Sequence, residues 1–101
     1  MEKYDIYIGL TDLKTNKEIL SPEAFAKELH TYCTKKKVSF SMIKQLGGCF
    51  HSQGYVTETS LRITVIGISE YELINLCSSI KRIANTDLVM VTKEETNCYY
   101  V

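Results

Sequence analysis

Leu61-Arg62-Ile63-Thr64-Val65-Ile66-Gly67-Ile68-Ser69-Glu70-Tyr71-Glu72-Leu73 changes its period in mid-course. Up to Ile66 the chain alternates, sending Leu61, Ile63 and Val65 to one side of an extended segment and Arg62, Thr64 and Ile66 to the other. Beyond Gly67, Ser69 and Glu72 have the spacing of a capping box, and Ile68 and Leu73 that of a hydrophobic staple. Leu73, Leu76, Cys77, Ile80, Ile83 and Ala84 then follow at helical spacing. Lys81 and Arg82 suit the negative end of that helix, and Asn85 suits the left-handed residue that stops it. A strand over residues 55–66 therefore runs directly into a helix.

The same grammar stands earlier in the chain. Residues 4–10 alternate, with Tyr4, Ile6, Ile8 and Leu10 on one side and Asp5, Tyr7 and Gly9 on the other. A polar connector over residues 11–18 leads to a second helix start. There Ser21 caps, Pro22 takes the first helical position, Glu23 meets the positive end, and Leu20 and Phe25 form a staple. Phe25, Leu29, Tyr32 and Cys33 continue the buried stripe, and Lys35, Lys36 and Lys37 read as a solvated C-terminal end. Residues 38–46 alternate again, with Val38, Phe40 and Met42 opposed to Ser39, Ser41 and Ile43. Residues 88–91 make a last strand, and residues 94–101 a polar tail ending in Tyr99-Tyr100-Val101.

The predicted order is strand, helix, strand, strand, helix, strand. This is the ferredoxin-like βαββαβ arrangement of the α+β class, a four-stranded antiparallel sheet with two helices on one face. The reverse face is expected to carry Tyr7, Ile43, Ile66 and a pair from the last strand, Val89 and Val91 or their neighbours, among Ser39, Ser41, Arg62 and Thr64. That mixture is too apolar for water alone, so a second copy or another partner is expected on it, giving a homo-oligomer through the sheet face.

A chain of 101 residues, 45% hydrophobic and 24% charged, has room for one core and is expected to form a single domain over residues 1–101. Twelve basic and twelve acidic residues leave no net charge, so the positive field that draws proteins to nucleic acid is missing. No apolar run has the length of a membrane span, and the beginning has no basic region followed by an apolar one. Cys33, Cys49, Cys77 and Cys98 are widely separated and read as reduced thiols, as expected of a cytoplasmic protein.

The chemistry that this topology often carries is tested residue by residue. Asp5-Ile6-Tyr7-Ile8-Gly9-Leu10 is similar to the first ribonucleoprotein motif of RNA-recognition domains. However, Ser60-Leu61-Arg62-Ile63-Thr64-Val65 lacks the aromatics of the second, so nucleic acid is not the expected partner. Acylphosphatases need an arginine in the turn where this chain has Gly9-Leu10-Thr11-Asp12, and an acid there repels phosphate. Metal chaperones of this fold need a Cys-x-x-Cys pair, which is missing. Cys49 and His51 are the only close soft ligands and do not by themselves make a metal site, so neither metal nor cofactor is expected. Nothing marks an oxyanion hole or a third orienting group, and no catalytic residue is assigned.

Residues 47–62 are the most suggestive stretch. Gly47, Gly48 and Gly54 bracket Cys49-Phe50-His51-Ser52-Gln53, a segment suited to a hairpin with a projecting loop. Lys44, His51 and Arg62 supply positive charge, the backbone at Gly47 and Gly48 allows close approach, and Thr57 and Glu58 can hydrogen-bond a sugar or base. The plain alternative is a hairpin whose polar residues face water. A long connection between the second and third strands resembles the effector loop of PII-like signalling proteins and their CutA-like relatives. That resemblance implies trimers with nucleotide or small-ligand sites between subunits. Around Tyr7-x-Gly9-Leu10 and Val56-x-Glu58-x-Ser60 the chain is also similar to a group of short bacterial or phage proteins. The resulting expectation is a non-enzymatic oligomer binding an anionic small molecule, such as a nucleotide, at subunit junctions near the hairpin. A protein-interaction module ranks second, for example a phage inhibitor of a host defence protein using the sheet face or Tyr99 and Tyr100. A small hydrolase using His51 or Glu58 ranks third.

Overall fold

The structure, a computed structural model, describes residues 1–12, 17–51 and 54–101, without the side chains of Asp12, Cys49, His51 and Val56. Its elements are β1 (Glu2–Gly9), β2 (Thr11–Asp12), β3 (Lys17–Glu18), α1 (Pro22–Lys36), β4 (Ser41–His51), β5 (Gly54–Ile66), α2 (Glu70–Ala84) and β6 (Met90–Glu95). The main sheet has the order β4-β5-β1-β6, every neighbouring pair antiparallel, as the ferredoxin-like topology requires. The polar connector also carries a small ladder, Thr11 opposite Glu18 and Asp12 opposite Lys17.

Both helices start where their caps predict. Ser21 Oγ accepts from the Ala24 amide at 3.1 Å, and the Ser69–Glu72 capping box closes in both directions. Both end on a left-handed residue, Lys37 at φ 57° and Asn85 at φ 51°, whose amides bond back to the last carbonyls. The core is drawn from the set that alternation and helical spacing select: Tyr4, Ile6, Ile8 and Leu10 from β1 and its end, Leu61, Ile63 and Val65 from β5, Phe25, Leu29 and Cys33 from α1, and Leu73, Leu76, Ile80 and Ala84 from α2, with Tyr32, Cys77 and Ile83 of the predicted stripes only partly buried against it. Each fully buried Leu or Ile contributes about 1.5–3 kcal/mol. Ser79 is buried with them, outside the predicted stripe, and accepts from Arg82 Nη2 at 3.2 Å.

Three expectations are corrected. The second strand starts at Ser41 and runs to His51, so residues 47–51 are paired strand; Gly47 lies opposite Glu58, Gly48 opposite Thr57 and Phe50 opposite Tyr55. The projecting element is a two-stranded finger. The last strand is Met90–Glu95, so Glu94 and Glu95 belong to the sheet and the tail begins at Thr96, whose amide bonds the Met1 carbonyl at 2.8 Å. Val91 pairs with Ile6 and so shares the helix-covered face, and Val89 packs against the core; the open face receives their neighbours Met90 and Thr92.

Candidate functional site on the open sheet face

Register assigns the open face residue by residue. One row crosses the sheet as Met90, Tyr7, Arg62 and Ile43, the next as Thr92, Asp5, Thr64 and Ser41, and on the other side lie Gly9, Ser60 and Gln45, then Glu58 and Gly47. Ile43 is 49% exposed, Ile66 42% and Met90 59%, among half-buried polar neighbours. Thr64 Oγ1 donates to Asp5 Oδ1, and Lys3 Nζ stands 3.8 Å from Asp5 Oδ2.

Next to these paired groups is a floor of small residues. The Glu58 carboxylate reaches across to β1 and lies over Gly9, where a Cβ would stand 2.6 Å from its Oε1. At Gly47 a Cβ would stand 3.1 Å from Ser60 Oγ. Gly9 and Gly47 thus give the Glu58 carboxylate and the Ser60 hydroxyl room to lie low on the open face, the carboxylate over the row next to that of Arg62 and its cross-strand neighbour Tyr7. Glu58 Oε2 and Arg62 Nε are both buried and have no hydrogen-bond partner among the described residues. Buried polar groups are rarely left so, and each unmade bond costs about 1–3 kcal/mol.

The seven predicted ligand residues do not share one surface. Gly47, Glu58 and Arg62 have open-face positions. Lys44 lies opposite Leu61, which is buried under the helices, so Lys44, Gly48 and Thr57 belong to the other face. A single ligand on the open face meets Arg62 and not Lys44. His51 pairs with Gly54 through its backbone; its side chain, like that of Cys49, lies outside the described residues, as do Ser52 and Gln53. Gly9, Ser60, Gln45 and Tyr7 stand beside Gly47, Glu58 and Arg62 on the open face without having been selected as ligand residues. The signal for them was weak: only the pairing of β1 with β5 brings Gly9 beneath Glu58. Among the described residues no group of three or more His, Cys, Asp or Glu side chains could hold a metal ion. Burial raises the Cys33 and Cys77 thiols above their ordinary pKa, which suits inert core cysteines.

Tyr99 and Tyr100 are exposed beyond the last strand. Among the described residues no helix is long and apolar enough to cross a membrane.

No family model matches the chain, and no curated protein matches it in sequence. Among solved structures it is similar to a phage SAM lyase in its apo state, with a TM-score of 0.68 at 19% identity over 92% of this chain and 78% of that one. The same kind of enzyme in complex with S-methyl-5'-thioadenosine gives a TM-score of 0.71 at 19% identity, over 93% and 80% of the two chains. A DUF3240 family protein from Shewanella baltica gives 0.53 at 10% identity, over 99% and 94%. These likenesses establish the fold. They lie among phage and bacterial proteins, whereas the resemblance to PII-like and CutA-like proteins stays one of topology and hairpin placement.

Proposed function

We propose that this chain binds a small adenosine-bearing sulfur compound, of the S-adenosylmethionine or methylthioadenosine type, on the open sheet face at Glu58 and Arg62. The observation that carries this reading is the pair of buried, unpartnered polar atoms, Glu58 Oε2 and Arg62 Nε, on the same open face of the sheet. A ligand that supplies both missing bonds recovers the cost of leaving them unmade. One acid and one base suit S-adenosylmethionine, which carries both signs, better than the purely anionic ligand expected from the sequence. The carboxylate faces a sulfonium or ribose hydroxyls, the guanidinium takes a carboxylate through a charge-assisted fork, and Tyr7 beside Arg62 offers an aromatic face to adenine. Support also comes from the two solved phage lyase structures, one of which holds methylthioadenosine.

Titration calorimetry of the purified chain with each compound tests this. Binding is expected, and for S-adenosylmethionine, which alone of the two carries a carboxylate and a sulfonium, Glu58→Gln and Arg62→Met should each weaken it about tenfold or more, the size of one lost charge-assisted bond. Absence of heat with both compounds refutes the reading.

A second reading, breakage of the sulfonium rather than its retention, is favoured by the Glu58 carboxylate, which lies over Gly9 with Oε2 unpartnered. Cleaving the bond between sulfur and the four-carbon amino-acid fragment leaves the electron pair on sulfur and releases methylthioadenosine. The step balances when the Glu58 carboxylate takes a proton from the carbon next to the one that leaves sulfur, so that a carbon–carbon double bond forms as the carbon–sulfur bond breaks, and then passes that proton to water. Chromatography of S-adenosylmethionine incubated with the chain distinguishes turnover from simple binding.

A further inference from the structure

The finger and one groove of the body form a matched pair of apolar surfaces at opposite edges of the sheet. Each helix has 15 residues, about 22 Å, whereas the 13 residues of β5 extend about 43 Å, so the end of the β4–β5 pair lies beyond helix cover. On the finger's helix-side face stand Leu46, Phe50 and Tyr55, 79%, 83% and 62% exposed, with the two rings in an edge-to-face contact at 5.1 Å. Across the molecule, α2 and the free edge strand β6 leave a groove of about 290 Å³ floored by Leu73, Cys77 and Val89 and rimmed by Ile74, Leu88 and Val91. Leu88 is 84% exposed and Ile74 57%.

The chain leaves more surface uncovered than a compact monomer of its size. A compact monomer of 11.5 kDa exposes roughly 5,800 Å². This chain exposes 7158 Å², and the excess, about 1,400 Å², is between one and two half-interfaces of standard size. Its radius of gyration is 14.3 Å against about 12.7 Å for a compact chain of this length, and its longest dimension is 46 Å. With no net charge, copies do not repel one another.

We infer that the finger of one copy docks into the α2–β6 groove of a second copy, Phe50 and Tyr55 entering between Ile74 and Leu88. Finger and groove are different surfaces, so the contact is heterologous and repeats head to tail into a ring or a filament. Aromatic anchors filling an apolar groove are the usual centre of such interfaces. The root of the finger, at Gly47 and Glu58, then lies next to a neighbouring copy. The oligomer forms through finger and groove whether or not the open face holds a ligand.

Sedimentation of the full chain and its variants tests this, with circular dichroism melts as the folding control. The wild type is expected to sediment as an oligomer. Phe50→Asp and Leu88→Asp, at exposed positions, should each give monomers that melt as the wild type does, and Ile74→Glu serves as a second groove variant. An equimolar mixture of Phe50→Asp with Leu88→Asp should form dimers and nothing larger, because each pair holds one intact finger and one intact groove. Tyr100→Ser should leave the oligomer unchanged. A monomeric wild type, an oligomeric Phe50→Asp, a mixture that stays monomeric, or dispersal by Tyr100→Ser alone would each overturn the inference.

Discussion

Glu58 lies across Gly9: its carboxylate occupies the space that any side chain at residue 9 would need. The contact joins β5 to β1 on the open face and fixes where the acid of the proposed site points. Gly9→Ala forces the carboxylate aside, and because the displaced atoms are the far end of a flexible side chain, folding should lose less than about 1 kcal/mol. Ligand affinity should nevertheless fall about tenfold, one charge-assisted bond. Calorimetry beside a thermal melt reads both quantities, and an unchanged affinity would remove Glu58 from the site.

On the finger, Tyr55 rests its hydroxyl on Gly48, and its ring meets Phe50 edge to face. Gly48→Ala overlaps that hydroxyl, and Tyr55, exposed to solvent, should swing away and lose its contact with Phe50. The expected cost is about 0.5–1.5 kcal/mol, with a change in the near-ultraviolet dichroism of the tyrosines. A variant with wild-type dichroism would show that Tyr55 does not rest there in solution.

The framework was legible because period and caps agree at each element. Tyr4, Ile6, Ile8 and Leu10 alternate into the core, and Ser69 with Glu72 starts α2 where the alternation stops. The last strand was misplaced because Leu88-Val89-Met90-Val91 is apolar at every position and leaves parity open. Lys93, Glu94 and Glu95 look like tail until β1 is set beside them, where Lys93 bonds Glu2 and the N-terminal amine bonds Glu95. In the site, Glu58 and Arg62 stood out as charges in a glycine-rich stretch. Gly9 did not, since cross-strand register joins it to Glu58 over a long separation in sequence. The grouping of Lys44 with Arg62 failed for a reason already in the alternation: across an antiparallel pair, Lys44 shares its face with Leu61.

Lys37 ends α1 in the left-handed region at φ 57°, a conformation that costs a residue with a Cβ about 1–2 kcal/mol. Glycine removes that strain but loses more entropy on folding. Lys37→Gly should therefore stabilise the chain by a net of about 0.5–1 kcal/mol in urea unfolding. Asn85→Gly, at the matching position after α2, should gain less, because asparagine tolerates that region. Equal gains at both sites would contradict this account.

The pH profile of stability should be set in part by Glu2. Tyr4 donates to its Oε2 at 2.6 Å and Lys93 Nζ stands 3.1 Å from its Oε1, and together, the tyrosine more strongly, they hold the carboxyl below its ordinary pKa. A carboxyl depressed on folding stabilises above the unfolded-state pKa, and that contribution is lost as pH falls through the folded value. The same carboxylate raises Tyr4 and Lys93 above their ordinary values, so their contribution is full below those values and is lost as pH rises through the raised ones. Glu2→Gln removes the charge that couples all three. Its melting temperature should fall less steeply than the wild type's on both the acid side, below about pH 4.5, and the alkaline side, above about pH 10. Parallel profiles for the two proteins across that range would show that the Glu2, Tyr4 and Lys93 cluster does not govern the edge where β6 joins β1.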